Sequence, residues 1–346
     1  MRFPAFLKEG GTIGFPAPSF GCASEPYRSA FLNAQKILNE KGFGTVPGPN
    51  AYAGDGIGIS SSPCSCGEEL TQMMLADDTQ ALISCGGGEL MCEILDHVDF
   101  DAVAGAAPKW FMGYSDNTNF TFLLATLCDT ASIYGPCAGT FGMEPWHPAV
   151  EDALDLLQGK KMTLHGYDGY EKESLKDEEH PLLPYNITQK RQFRLWRPGE
   201  GYTEGEARLS GRLLGGCMDC LVNLTGTGYD RVSRFAEKYK EDGILWFLEA
   251  CDLNVFGIRR ALWNMKHAGW FENASGFLIG RPLCMGEEMM GLDQYDAVTA
   301  VLGDLGVPIL MDLDIGHLPP MMPVMTGALA EVSLQGQELA VTYECK

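Results

Sequence analysis

The chain has 346 residues, enough for two domains or one large one, and its 45% hydrophobic and 21% charged residues allow a sizeable core. A formal net charge of −21 sets nucleic acid and membrane surfaces aside as partners, because both would repel it. The N-terminal MRFPAFLKEGG has no apolar run long enough for a signal peptide, and no stretch approaches the length of a membrane span, so a cytoplasmic location is expected.

Residues 12–19 read as a short apolar strand and a Pro-rich turn. Residues 24–41 have helical spacing, with Phe31, Ala34, Ile37 and Leu38 on one side and Glu40-Lys41-Gly42 as the stop. A helix over 68–76 precedes the strand-like Ala81-Leu82-Ile83, which ends in Gly86-Gly87-Gly88, and another follows through Ile94. Trp110 to Tyr114 is a further apolar run, 117–128 is helical, Ala131 to Tyr134 is strand-like and 148–158 is helical. Strands alternating with helices imply a parallel sheet covered on both faces.

From 166 to 210 the character changes: Glu171 to His180 is dense in charge and Pro181, Pro184 and Pro198 interrupt regular structure, so a linker or irregular excursion is expected between an N-terminal α/β domain (1–165) and a C-terminal domain (211–346). The second half has strand-like runs at 244–249, 276–280 and 308–316 and helices over 254–268 and 293–303. It closes with alternating runs 328–334 and 338–343 around a Gly336-Gln337 turn.

Twelve cysteines in a chain read as cytoplasmic are expected to be reduced. Cys64/Cys66 and Cys217/Cys220 could in principle join as a four-thiolate zinc site, but the first pair is C-x-C and the two lie far apart. Cys217-Met218-Asp219-Cys220 also has redox-motif spacing, though its apolar flanks read as the start of a packed helix.

A strand-to-helix turn suits a nucleophile, because the strand holds the residue and the helix aims N–H groups at it. Gly113-Tyr114-Ser115-Asp116-Asn117 has that form. It is like a nucleophile elbow with Asn117 in place of the second glycine, and a serine or Asp116 that merely caps the helix gives the same pattern. A serine nucleophile needs a histidine base and an orienting carboxylate. Of six histidines, His317 alone lies just past a long strand-like run. Glu249 ends the apolar run 244–248, where a carboxylate is costly unless paired. Its alternative role is to cap the next helix, with Asp252 or Asn254 as rivals. Gly86-Gly87-Gly88 could offer N–H groups to an oxyanion, and Cys85 or Cys137 could serve a thiol hydrolase instead. If the substrate is acidic, so acidic a chain needs a local basic patch, for which Arg191, Arg194 and Arg197 are the candidates.

Taken together, Gly14-Phe15-Pro16-Ala17-Pro18-Ser19, Gly86-Gly87, Gly113-Tyr114-Ser115-Asp116, Gly135-Pro136, Leu214-Gly215-Gly216, Leu248-Glu249 and Asp314-Ile315-Gly316-His317 resemble the LD-carboxypeptidase family of serine peptidases. That family includes murein tetrapeptide carboxypeptidases and microcin C self-immunity peptidases. The resemblance implies a Rossmann-like α/β N-terminal domain and a smaller β-rich α/β C-terminal domain with the site between them. It implies a Ser115-His317-Glu249 triad, an oxyanion hole from Asp116 and Gly86 or Gly87, a homodimer, a small peptide or peptide-like substrate, and no metal or organic cofactor. Cys85 and Gly88 stand where the murein enzymes usually have Arg and Tyr, which looks closer to the self-immunity branch. In that reading Ser19 and Trp196, the latter within the excursion, are candidate substrate contacts. A non-catalytic binding protein on the same fold is the alternative.

Overall fold

Apolar runs of three to six residues, flanked by glycine, proline or polar residues, have no room for helical periodicity and pair as strands. In the computed structural model, which describes residues 1–346, five parallel strands form a first layer. They are β1 (Thr12–Phe15), β2 (Gly44–Pro47), β3 (Ala81–Ile83), β4 (Trp110–Gly113) and β5 (Ser132–Tyr134), in the order β5-β4-β3-β1-β2. Each pairs in parallel register, for example Ile13 with Ala81 and Leu82 with Phe111. The strand order turns back between β1 and β3, the place where open α/β sheets leave a crevice at their carboxyl ends. The loops after β1, β3 and β4 all open there. Helices Tyr27–Glu40, Pro63–Leu75 and Thr118–Thr126 are among those covering the sheet. The first starts later than its spacing predicts because Pro26 occupies the position before its first turn.

The second layer is a nine-stranded sheet that keeps four parallel strands at its centre. Its strands come from β6 (Thr163–His165), β9 (Arg194–Arg197), β10 (Gly201–Thr203), β11 (Glu206–Cys217), β12 (Ile244–Glu249), β13 (Ala274–Gly280), β14 (Ile309–Leu313), β16 (Leu329–Gln335) and β17 (Glu338–Glu344), while β7 (Gly169–Glu171) and β8 (Ile187–Lys190) form a separate ribbon. The strand β15 (Val324–Thr326) crosses back and pairs antiparallel with β5 of the first layer, Met325 opposite Ile133. One core runs through both layers, with Ile13, Phe15 and Met112 in the same cluster as Phe247, Leu278 and Leu310.

The stretch 166–210 is therefore not an irregular linker. It contains β7 to β10, and β11 runs through the expected boundary at 210/211. Likewise β6, expected in the first domain, pairs with β17 of the second sheet. The strands β6 to β10 are three or four residues long, and β8 is fully exposed. Such strands bury too little to need an alternating pattern. No helix is long and apolar enough to cross a membrane.

Candidate active site

Ser115 follows the buried β4 and opens a single 3-10 turn, Ser115–Asn117, that feeds helix Thr118–Thr126. Its φ is +63°, a left-handed conformation that costs a non-glycine residue about 1–2 kcal/mol. Its N–H donates to the Tyr134 Oη at 3.1 Å. Asn117, where an elbow would have glycine, donates through Nδ2 to the Gly86 carbonyl at 2.8 Å and the Tyr114 carbonyl at 3.0 Å. It thereby ties the glycine loop to the serine turn. Neither Asp116 nor Asn117 caps the following helix with its side chain. The buried Asp116 carboxylate instead accepts from Ser19 Oγ (2.6 Å), the Met91 N–H (2.9 Å) and Asn119 Nδ2 (3.0 Å). Burial raises the Asp116 pKa, against those donors.

Glu249 is the last residue of β12 and is completely buried. Asn254, through Oδ1 to the Gly257 N–H at 2.9 Å, caps the next helix, so Glu249 is free of that task. His317 lies beyond β14 in a loop that begins with Gly316. Gly316 has φ +105°, and a Cβ there would lie 2.5 Å from Glu249 Oε2, so only glycine lets the loop cross this closely. His317 Nδ1 is 2.9 Å from Glu249 Oε2, and His317 Nε2 is 2.9 Å from Ser115 Oγ. Tyr134 Oη donates to Glu249 Oε1 at 2.5 Å, linking the carboxylate back to the serine backbone. Burial disfavours an ionised Glu249, but the charge of His317 and hydrogen bonds from His317, Tyr134 and Cys217 outweigh it and hold the pKa below the ordinary range. Burial also opposes a charged His317, yet Glu249 raises its pKa well above the usual histidine value.

Gly87 packs against Ser115: a Cβ there would stand 3.0 Å from Ser115 Cβ and 3.2 Å from Oγ. The N–H groups of Gly86 and Gly87 take no part in the chain's own hydrogen bonding. Two cavities open here, one at His317 and one at Ser115. One, of about 230 Å³, is lined by Tyr114, Gly86, Gly87, His317 and Lys176 among others. The second, of about 180 Å³, holds Ser115 together with Glu89, Asp116, Asp219 and Asp252 and the thiols of Cys92, Cys217, Cys220 and Cys251.

Two expected substrate contacts lie elsewhere. Ser19 is fully buried and spent on Asp116. A Cβ at position 88 would sit 2.2 Å from its Oγ, which accounts for Gly88 where a tyrosine could stand. Trp196 is on β9, opposite Ile309 and Tyr202, with its ring against Gly303, and it does not line either cavity. Three of the other histidines serve locally: His147 Nδ1 accepts from the Ala149 N–H, His180 pairs with Asp177, and His267 packs on Trp263. Cys85 and Cys137 are poor nucleophiles. Both are buried, which pushes the Cys85 thiol far up and the Cys137 thiol to about 12. All twelve cysteines are free thiols, and no group of three or more His, Cys, Asp or Glu is placed to hold a metal ion. Tyr134 was not singled out by sequence. The available signal was a polar tip at the end of an apolar strand, just before Gly135-Pro136.

Ser115, His317 and Glu249 thus line up at the crevice of the α/β sheet, an arrangement of the kind that serine hydrolases use. The N-terminal domain of LD-carboxypeptidases matches residues 13–135 and their C-terminal domain matches residues 210–332. The chain belongs to the LD-carboxypeptidase family of serine carboxypeptidases. The microcin C7 self-immunity protein of Escherichia coli is 25% identical over 98% of this chain and 95% of its own length. A probable murein peptide carboxypeptidase of Bacillus subtilis is 26% identical over 95% and 91%. A putative carboxypeptidase of Vibrio cholerae is 26% identical over 94% and 93%. Among solved structures, the microcin C7 self-immunity protein in complex with aspartyl sulfamoyl adenosine superposes with a TM-score of 0.79 at 22% identity, covering 99% of this chain and 98% of that one. A related protein from Bacillus anthracis gives 0.82 at 21% identity, covering 99% and 100%. These last two establish the shared fold.

Proposed function

We propose that the protein hydrolyses an amide bond in a small peptide, murein peptide or peptide-nucleotide conjugate through Ser115, His317 and Glu249. Ser115 Oγ attacks the carbonyl carbon while His317 Nε2 takes its proton. Glu249 holds the Nδ1–H tautomer and stabilises the imidazolium. The N–H groups of Asp116 and of Gly86 or Gly87 receive the oxyanion. His317 then protonates the leaving amine, the C–N bond breaks, and water, deprotonated by His317, releases the acid from the acyl-serine. The observation that carries this reading is the unbroken line from Ser115 Oγ through His317 to Glu249, with both links at 2.9 Å.

The test is turnover by the wild type and Ser115→Ala on a panel of peptides, murein peptides and aminoacyl sulfamoyl adenosines, read by mass spectrometry. The variant should lose roughly 10⁴ to 10⁶ in kcat on every substrate that the wild type cleaves. Near-normal turnover by Ser115→Ala, or no turnover of any panel member by the wild type, would refute the reading.

A further inference from the structure

A carboxylate entering so acidic a protein needs a cation where it comes to rest. The three arginines closest together in sequence do not supply it. Arg191 pairs with Glu338, Arg194 with Asp312 while stacking on Tyr295, and Arg197 with Glu200 and the Glu206 carbonyl. None of them lines the cleft beside His317.

That cleft contains one ammonium, Lys176. It is half-buried, forms no ion pair, and its Nζ makes no hydrogen bond within the chain. Burial lowers its pKa, and only the charge of Glu171 acts in the other direction. Glu171 lines the same cleft but forms no ion pair with Lys176, so an ammonium partly stripped of water is stabilised further by a ligand that brings a closer counter-charge. Its position is fixed from both ends of its segment. The Glu171 N–H donates to the Pro319 carbonyl, two residues beyond His317, at 2.7 Å, and Glu171 accepts from the Asn186 N–H at 2.5 Å. The Glu144 N–H donates to the Leu182 carbonyl at 2.9 Å.

The two cavities give the direction. His317 must protonate the departing amine, so the departing amino acid lies on the side of His317, in the cleft that holds Lys176. The other cavity, at Ser115, is lined by four carboxylate side chains and would repel a carboxylate. We propose that Lys176 is the residue that anchors the free carboxylate of the departing amino acid. This rests on the reading of Ser115 and His317 given above.

Binding can be separated from turnover in the Ser115→Ala background. Calorimetry would compare N-acetyl-L-alanyl-D-alanine with its C-terminal amide, with and without Lys176→Met, and thermal melting would check that each variant is folded. The acid should bind about tenfold or more tightly than the amide, as expected for a charged hydrogen bond. Lys176→Met should abolish that difference by weakening the acid alone, and Lys176→Arg should restore part of it. Equal affinity for acid and amide with Lys176 present, no measurable binding of either, or a preference that survives in folded Lys176→Met would each overturn the proposal. Cleavage of panel peptides by the wild type would in those cases still leave the hydrolase reading standing.

Discussion

Ser115 holds its strained φ of +63° because three neighbours fix it: β4 on one side, the Tyr134 hydroxyl on its N–H, and Asn117 bridging the turn to Gly86. Around it, Glu249 and His317 shift each other in opposite senses, and this has consequences for pH. In the proposed mechanism proton abstraction requires neutral His317, whose pKa is raised from 6.5. The acid limb of the kcat/KM profile should therefore have its midpoint above pH 6.5. Glu249→Gln should move that midpoint down while lowering the rate. A wild-type midpoint at or below 6.5 would contradict the coupling. Stability has the other sign. The raised His317 pKa contributes stability in full below 6.5, and the contribution is lost as pH climbs through the folded value. The depressed Glu249 pKa contributes above 4.5, and that part is lost as pH falls through its folded value. The enzyme should thus be most active at a pH where this pair stabilises it less.

At the scale of elements, the loop that brings His317 to Glu249 hangs on a buried ion pair. Arg281, 1% exposed, places Nη1 2.7 Å from Asp314 Oδ1, and Asp314 is fully buried. The contact is one of charge rather than a well-aligned hydrogen bond. The guanidinium also donates to the Asp312 and Leu318 carbonyls and lies over Tyr170. Arg281→Met would leave Asp314 buried without its partner, at a cost of about 3–5 kcal/mol. Chemical denaturation of the two proteins measures it, and a loss below about 1 kcal/mol would show that the pair does not hold the loop. Elements of this kind differ in how legible they are. The run 244–249 reads as a strand from its buried apolar residues and is one, and 110–113 likewise. The edge strand β2, half-exposed and ending in Pro47, and the seven-residue helix Val232–Lys238 carry too little pattern to be seen. Ser19 and Trp196 look functional by position, but their neighbours decide otherwise. One is claimed by Asp116 and the other by Gly303, contacts between residues 97 and 107 positions apart in the chain. Lys176 was hidden for the opposite reason. It sits in a charged stretch where a solvated side chain is the ordinary outcome, and only the fold places it in the cleft that His317 also lines.

At the scale of the whole molecule, neither layer alone holds the whole of the proposed site. The first supplies Ser115, Gly86, Gly87 and Tyr134, while the second supplies Glu249 and His317. Three features hold the layers in register: the shared core, the β15 strand paired with β5, and the Cys217 N–H donating to Thr118 Oγ1 at 2.9 Å. The reacting geometry is thus a property of the docked pair of layers. The most direct test is reaction of the folded protein with a fluorophosphonate, followed by peptide mapping. One adduct per chain is expected, on Ser115, forming at least about a thousandfold more slowly in His317→Ala, as for loss of a base that activates the hydroxyl. An adduct elsewhere, no adduct at all, or an undiminished rate in His317→Ala would contradict an activated serine assembled between the two layers.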